Sequence, residues 1–285
     1  MGVELDEVLA ERLARLQADL SARGSVLVAF SGGADSAFLL AAAVRALGAD
    51  HVAAGTARSA SLPRAERGPA EEFARGLGVR LLTPHTEEMR REGYRANDGN
   101  RCYFCKAELL DVLGPLAERH GLAYVATGTN ADDALAGFRP GIRAAAERGA
   151  ITPLLDAGLT KQQVRAASRA WGLSTWDKPA AACLSSRVAY GIAVSPFRLV
   201  RIERAETAVR AALAAAGIPV RNLRVRDLGE SARIEVDQDA VPAALREPSV
   251  VAAALDAGFP AAAVDPRGFR SGSMNELLAE PARFR

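Results

Sequence analysis

Short apolar runs at residues 26–30, 51–56, 80–83 and 123–127 are separated by stretches with helical spacing of apolar positions, at 37–47, 64–77 and 103–119. Runs of this length, bounded by turn residues, predict strands, and the longer periodicity between them predicts helices. Strands alternating with helices imply a parallel sheet covered on both faces, with ligands bound beyond the carboxyl ends of its strands. The turn at 31–36, Thr56 and Gly128-Thr129-Asn130 fall at that edge. A further helix is expected over 160–171, with Thr160 as its N-cap. After residue 176 the pattern changes. A loop over 177–191 precedes a long helix over 196–216, opened by Pro196. Alternating segments at 223–227 and 232–236, a helix over 242–257 and a short strand at 261–264 complete the chain. The expected architecture is α/β, with a parallel-sheet domain over 1–175 and a smaller C-terminal α+β domain over 176–285.

Length and composition change this picture little. The 285 residues are enough to bury a full core. The first 20 are charged and helix-periodic, without the apolar core of a signal peptide, and no uncharged apolar stretch spans a bilayer. The expected address is the cytoplasm, with no membrane partner. A net charge of +2 argues against a large nucleic-acid footprint. Cation usage is more informative: the only lysines are Lys106, Lys161 and Lys178, and every other cation is arginine. Lys106 directly follows a cysteine motif and Lys178 lies five residues before the third cysteine, which marks both as candidates for binding phosphate or carboxylate. Lys161 opens an amphipathic helix and is expected to be solvated.

Candidate chemistry begins where the first apolar run meets Ser31-Gly32-Gly33-Ala34-Asp35-Ser36. Glycine on a strand-to-helix turn lets the backbone approach a ligand, and the helix end with its open N–H groups attracts an anion. Ser31 and Ser36 add hydroxyls, and Asp35 adds a carboxylate suited to Mg2+ beside phosphates. A Walker A loop would need Gly-Lys-Ser/Thr, and no lysine is present here. The motif resembles the PP-loop of the ATP pyrophosphatases, which cleave ATP to AMP and pyrophosphate.

Cys102 and Cys105 form a CxxC at the start of a predicted helix, where thiolates are favoured, and Cys183 lies on the loop after Pro179. Four readings stand at this point: a structural zinc site needing a histidine as fourth ligand, a CxxC redox pair, inert buried thiols, or an iron–sulfur cluster on three thiolates. His51, His85 and His120 show no ligand spacing.

Taken together, several stretches resemble the LarE-like ATP-dependent sulfur transferases over nearly the whole chain. They are residues 31–36, 100–106, 128–133 with Arg139-Pro140-Gly141, 178–187 with Tyr190-Gly191, Arg224-Val225-Arg226, 232–236 and the Gly-Phe-Arg-Ser-Gly-Ser-Met-Asn-Glu of 268–276. The resemblance implies a PP-loop ATP pyrophosphatase (adenylation) domain followed by a sulfur-transfer and substrate-binding domain. It implies that ATP adenylates the carboxylates of a pyridinium-3,5-biscarboxylate mononucleotide. Sulfur then displaces AMP to give the thiocarboxylates of the nickel-pincer cofactor. Ala29, Ser31, Gly32, Gly33, Asp35, Ser36, Thr56 and Gly128 would bind ATP, with Asp35 on Mg2+. Arg187, Glu206, Arg224 and Arg226 would bind the nucleotide substrate, and Cys183, Asp35 and Lys106 would serve catalysis. The family draws sulfur either from a sacrificed cysteine equivalent to Cys183 or from a [4Fe-4S] cluster on three cysteines. With Cys102, Cys105 and Cys183 present, the cluster is the expectation. Asp132 and Asp133 suit a metal, a ribose or a helix cap. The Ala-Leu-Ala-Gly-Phe after Asp133 departs from the further polar residues that the family pattern leads one to expect.

The main alternative is a PP-loop tRNA thiolase, against which the near-neutral charge and the lack of an RNA-binding module count. An amidotransferase-type ligase has no need of three cysteines, and a nucleotide-binding sensor would release no pyrophosphate. The expected partners are the small-molecule nucleotide substrate, a source of sulfide or a sulfur-donor protein, and further copies of the chain in a homo-oligomer, with no stable nucleic acid.

Overall fold

The computed structural model describes residues 6–135, 140–179, 182–270 and 272–277. Arg139, Ser271, Ala180, Ala181 and the Ala136-Gly137-Phe138 segment, all within stretches discussed above, lie outside them. The chain forms two compact units. One takes the described residues up to 88 together with 102–179, and the other takes 89–101 together with those from 182 onward.

In the first unit, α1 (Glu7–Arg23) starts where the Asp6 carboxylate accepts from the Leu9 N–H at 2.7 Å. Then follow β1 (Val26–Ala29), α2 (Ala34–Leu47), β2 (Val52–Gly55), α3 (Arg67–Gly76) and β3 (Arg80–Leu82). The chain passes through α4 (Glu92–Arg95) in the second unit. It returns with α5 (Arg101–Arg119), β4 (Tyr124–Thr127), α6 (Ala131–Leu135), α7 (Pro140–Ala146), α8 (Pro153–Asp156) and α9 (Lys161–Ala170). The strands are parallel in the order β3-β2-β1-β4.

β1 is buried throughout, as a strand covered on both faces must be. Its side chains alternate between two cores. Val26 and Val28 pack with residues of α1, α2, α3 and α9, whereas Leu27 and Ala29 pack with Leu113 and Ala117 of α5. The chain runs outward from β1 to β2 and β3, then crosses to β4 on the other flank of β1. That reversal makes the carboxyl ends of β1 and β4 the topological switch point, where such sheets bind ligands. Thr160 caps α9 as expected, in a reciprocal box with Gln163.

In the second unit, α10 (Pro196–Ala215) starts on Ser195, whose hydroxyl accepts from the Arg198 N–H at 3.3 Å. It is followed by β5 (Leu223–Asp227), β6 (Ser231–Val236), α11 (Val241–Arg246), α12 (Pro248–Asp256) and β7 (Ala261–Val264). The sheet is mixed, with β6 antiparallel to β5 and parallel to β7. The one helix expected over 242–257 is two. Glu247 sits before Pro248 with φ −100° and ψ 101°, because the proline ring drives its predecessor out of the helical region. Among the described residues no helix is long and apolar enough to cross a membrane.

Met89–Arg101 joins this unit through Asn97, the one non-glycine residue with positive φ (55°) among the described residues. Asn97 is fully buried, and its Nδ2 donates to the carbonyls of Val188 (3.3 Å), Ala189 (2.8 Å) and Ile192 (2.8 Å). Arg101 donates to Asn97 Oδ1 and, at 2.8 Å, to Ser185 O. The loop that follows Cys183 is therefore fastened by these side-chain hydrogen bonds together with backbone bonds from Ala189 N to Asp227 O and Gly191 N to Asn97 O. Truncating Asn97 to Ala strands those buried carbonyls, and a loss of roughly 1–3 kcal/mol is expected in equilibrium unfolding by denaturant.

Candidate functional site

The turn after β1 bends at Gly32 (φ 72°), in the left-handed region that glycine adopts without strain. Gly33 then occupies the N-cap of α2 without a side-chain cap, so the first N–H groups of the helix stay open toward the turn. Hydroxyls shape the cradle: Ser36 Oγ accepts from Ser31 N (3.3 Å), donates to Gly33 O (3.1 Å) and lies 3.1 Å from Ser31 Oγ. On the next strand, buried Thr56 donates its hydroxyl to Phe30 O at 2.6 Å. Gly128, at the end of β4, lies against this helix end. A Cβ there would meet Ser36 N at 3.0 Å and the Asp35 carbonyl carbon at 3.1 Å. The structure thus gathers Ala29, Ser31, Gly32, Gly33, Asp35, Ser36, Thr56 and Gly128 at the switch point of one sheet.

Asp35 stands in the first turn of α2 with Oδ1 buried and lacking a hydrogen-bond partner. Burial raises its pKa above the ordinary carboxylate value, opposed by Lys161 and Arg165 and reinforced by Asp133. Asp132 accepts from the Lys161 N–H at 2.8 Å, and Asp133 exchanges hydrogen bonds with Asn130. Both aspartates therefore act at helix starts.

Cys102 and Cys105 occupy the first turns of α5, with Lys106 next to them. Enclosure lowers the pKa of Lys106, opposed by Cys105, Cys102 and Asp133. In the second unit, Cys183 is the N-cap of a 3-10 turn over Leu184–Arg187, with its Sγ 3.0 Å from Ser185 Oγ. All three cysteines are thiols, not disulfides.

The second unit also gathers the predicted arginines. Arg187 is buried, donates to the carbonyls of Ala182 and Cys183, and forms a two-pronged pair with Glu206 at 2.9 and 3.3 Å. Glu206 accepts as well from the Val225 N–H of β5 at 3.1 Å. Arg224 and Arg226 project from the same face of β5. Arg226 pairs with fully buried Glu235 at 2.8 Å and donates to Ser186 O and Ser273 Oγ. Arg224 packs over the Phe269 ring, and its pKa is lowered to about 10, first by burial and then by Arg187. Three buried guanidiniums in mutual repulsion favour an anion among them.

No protein-family model matches the chain. A search of curated proteins does find relatives. An uncharacterised protein of Synechocystis is 38% identical over 276 residues, 96% of this chain and all of that protein. The pyridinium-3,5-bisthiocarboxylic acid mononucleotide synthase of Lactiplantibacillus plantarum is 32% identical over 273 residues, 95% of this chain and 96% of the relative. The chain belongs to the LarE-like family of ATP-dependent sulfur transferases. An uncharacterised protein of Methanocaldococcus jannaschii matches less of it, at 27% identity over 175 residues.

For a LarE-like transferase two groups must be tested against the residues present. Mg2+ fits at Asp35, because the orphaned buried oxygen is satisfied by a cation. Three free thiols are the donor type that an iron–sulfur cluster takes. Among the described residues no three His, Cys, Asp or Glu side chains are grouped as a metal site, and the cysteines are divided between the two units. The sequence reading missed Asn97, Arg101, Glu235 and Ser273, which hold the Cys183 loop and Arg226. Arg101, Glu235 and Ser273 lay in quoted motifs but were given no role, and Asn97 lay outside them.

The raised pKa of Asp35 fixes a sign. Between the ordinary aspartate value and the folded one, the native state keeps a proton that the unfolded state has lost, so stability falls as pH rises through that window. The destabilisation is complete above it. Asp35→Asn is expected to raise the melting temperature at neutral pH while abolishing pyrophosphate release, and the thermal gain should vanish below about pH 4.

Proposed function

We propose that this chain converts the carboxylates of pyridinium-3,5-biscarboxylate mononucleotide to thiocarboxylates, in two rounds of adenylation and sulfur transfer. The observation that carries the reading is the turn of residues 31–36, a lysine-free phosphate cradle at the switch point beside an orphaned carboxylate oxygen.

ATP binds with its phosphates on the turn and the open end of α2, which draws negative charge toward Gly33 and Ala34. A free carboxylate is a poor electrophile. Attack of a substrate carboxylate oxygen on the α-phosphorus forms an acyl-adenylate and expels pyrophosphate, whose charge the helix end stabilises. Mg2+ held by Asp35 supplies charge neutralisation on the phosphates. Arg187, Arg224 and Arg226 clamp the phosphate and carboxylates of the nucleotide, with Glu206 and Glu235 fixing the guanidiniums in place. Sulfur attacks the activated carbonyl carbon, AMP leaves, and a thiocarboxylate remains. A [4Fe-4S] cluster on Cys102, Cys105 and Cys183 would supply sulfide at the iron that carries no thiolate. Lys106, beside two of those thiols, contributes positive charge next to their negative charge. In this reading adenylation belongs to the first unit, which holds the turn, and sulfur transfer with substrate binding to the second, which holds Cys183 and the arginines.

Anaerobically purified and reconstituted protein is expected to hold about four irons per chain, lost on mutating any one of the three cysteines. Absence of iron, with conversion of residue 183 to dehydroalanine after turnover, would replace the cluster by Cys183 as a single-use donor. Cys183→Ala should abolish thiocarboxylate formation, followed by mass spectrometry, while equilibrium ATP binding survives. Thiocarboxylate made by that variant would overturn the site.

A further inference from the structure

The turn of residues 31–36 carries no cation within its own sequence, yet a lysine reaches it from 146 positions away in the chain. Lys178 Nζ donates to Gly32 O at 2.9 Å, at the left-handed corner of the turn, and to Glu66 Oε2 at 2.6 Å. Those acceptors use two of the three ammonium donors. The backbone beneath is fixed, since Arg165 donates to Trp176 O at 3.1 Å and Lys178 O at 2.7 Å. Lys178, Gly32 and Glu66 line one cavity of about 500 Å³, whose walls include Phe30, Phe73 and Leu173.

These contacts place a cation at the edge of an anion cradle, on a backbone held by Arg165. Helix and peptide dipoles supply only about half a unit of positive charge at that edge, much less than a polyphosphate carries. Glu66 is the partner that a phosphate must displace. Lys178 and Glu66 keep 22% and 25% of their side-chain surface exposed, so the pair is reached by water and the ammonium can change partner. We propose that Lys178 is the phosphate-binding lysine of this site, holding the Gly32 carbonyl throughout and exchanging Glu66 for a pyrophosphate oxygen when the cradle fills. The inference rests on the reading of residues 31–36 as the ATP phosphate site and deepens it. The lysine that a Walker loop carries within its own sequence is here delivered by the segment leading to Cys183.

Inorganic pyrophosphate with Mg2+, measured by calorimetry on the full chain, tests binding without turnover. Lys178→Ala is expected to weaken it at least tenfold. Lys178→Gln can still donate to Gly32 O but carries no charge, whereas Lys178→Arg keeps the charge. Recovery by Arg and not by Gln supports a phosphate ligand. Recovery by Gln alone would reduce Lys178 to a prop for the turn and overturn the proposal, as would wild-type affinity in the Ala variant. Glu66→Gln should tighten binding a few-fold if the exchange occurs. Substrate-dependent ATP–pyrophosphate exchange by the wild type separates the two levels. Exchange with an indifferent Lys178 sinks only this inference, whereas a wild type that neither exchanges nor binds pyrophosphate sinks the adenylation reading with it.

Discussion

A methyl group would fit only under strain between the turn after β4 and the first turn of α2. A Cβ on Gly128 would press on Ser36 N at 3.0 Å, backbone that cannot rotate aside. This near-contact brings the open end of α2 and the end of β4 into a single cradle, so that Asp35, Asn130 and the serine hydroxyls share one small volume. The rest of the first unit supports that approach. α2 is buried along most of its length, and Val26 and Val28 of β1 belong to the core on which it rests. Gly32 provides the bend, and Gly128 permits the closeness.

The second unit solves the opposite problem, which is to keep like charges together. Arg187, Arg224 and Arg226 are all buried, and each sits near a carboxylate, a carbonyl or an aromatic face. Glu235 is the centre of this arrangement: it has no exposure and accepts from Arg226, Arg233 and Ser273. Breaking a buried pair of this kind by removing one partner leaves an uncompensated charge, which is far more damaging than removing both. The arginines are thus oriented by the fold itself, and the ordering entropy of their long side chains is spent at folding.

Much of this was legible in the sequence, because the strongest signals were local. The apolar run of β1 stopping at Gly32-Gly33, the Thr160 cap and the Arg224/Arg226 spacing each state their geometry within a few residues. What escaped was non-local or conformational. Pro248 is a local helix-break signal, but the apolar pattern continues across it, so one helix was expected where the proline makes two. Asn97 looks like an ordinary loop residue, and its left-handed backbone and its three carbonyl partners some 90 positions away have no signature in a single chain. The carboxylates were equally opaque. Glu235 alternates with apolar neighbours as any half-buried strand residue does, and only the register with β5, opposite Arg224, reveals its office.

The excursion of Met89–Arg101 into the second unit has a consequence for biosynthesis. The chain enters that unit, leaves it and returns after residue 181, so no single cut separates the two. On the ribosome these thirteen residues emerge some 90 positions before the carbonyls that Asn97 must satisfy, and they stay uncommitted until the loop of 188–192 has followed. A fragment ending in the 170s would keep the four parallel strands but leave residues 89–101 without the carbonyls that Asn97 binds, the kind of incomplete packing that exposes a chain to misfolding. The two units are thus distinct as packed bodies but are not interchangeable as genetic modules.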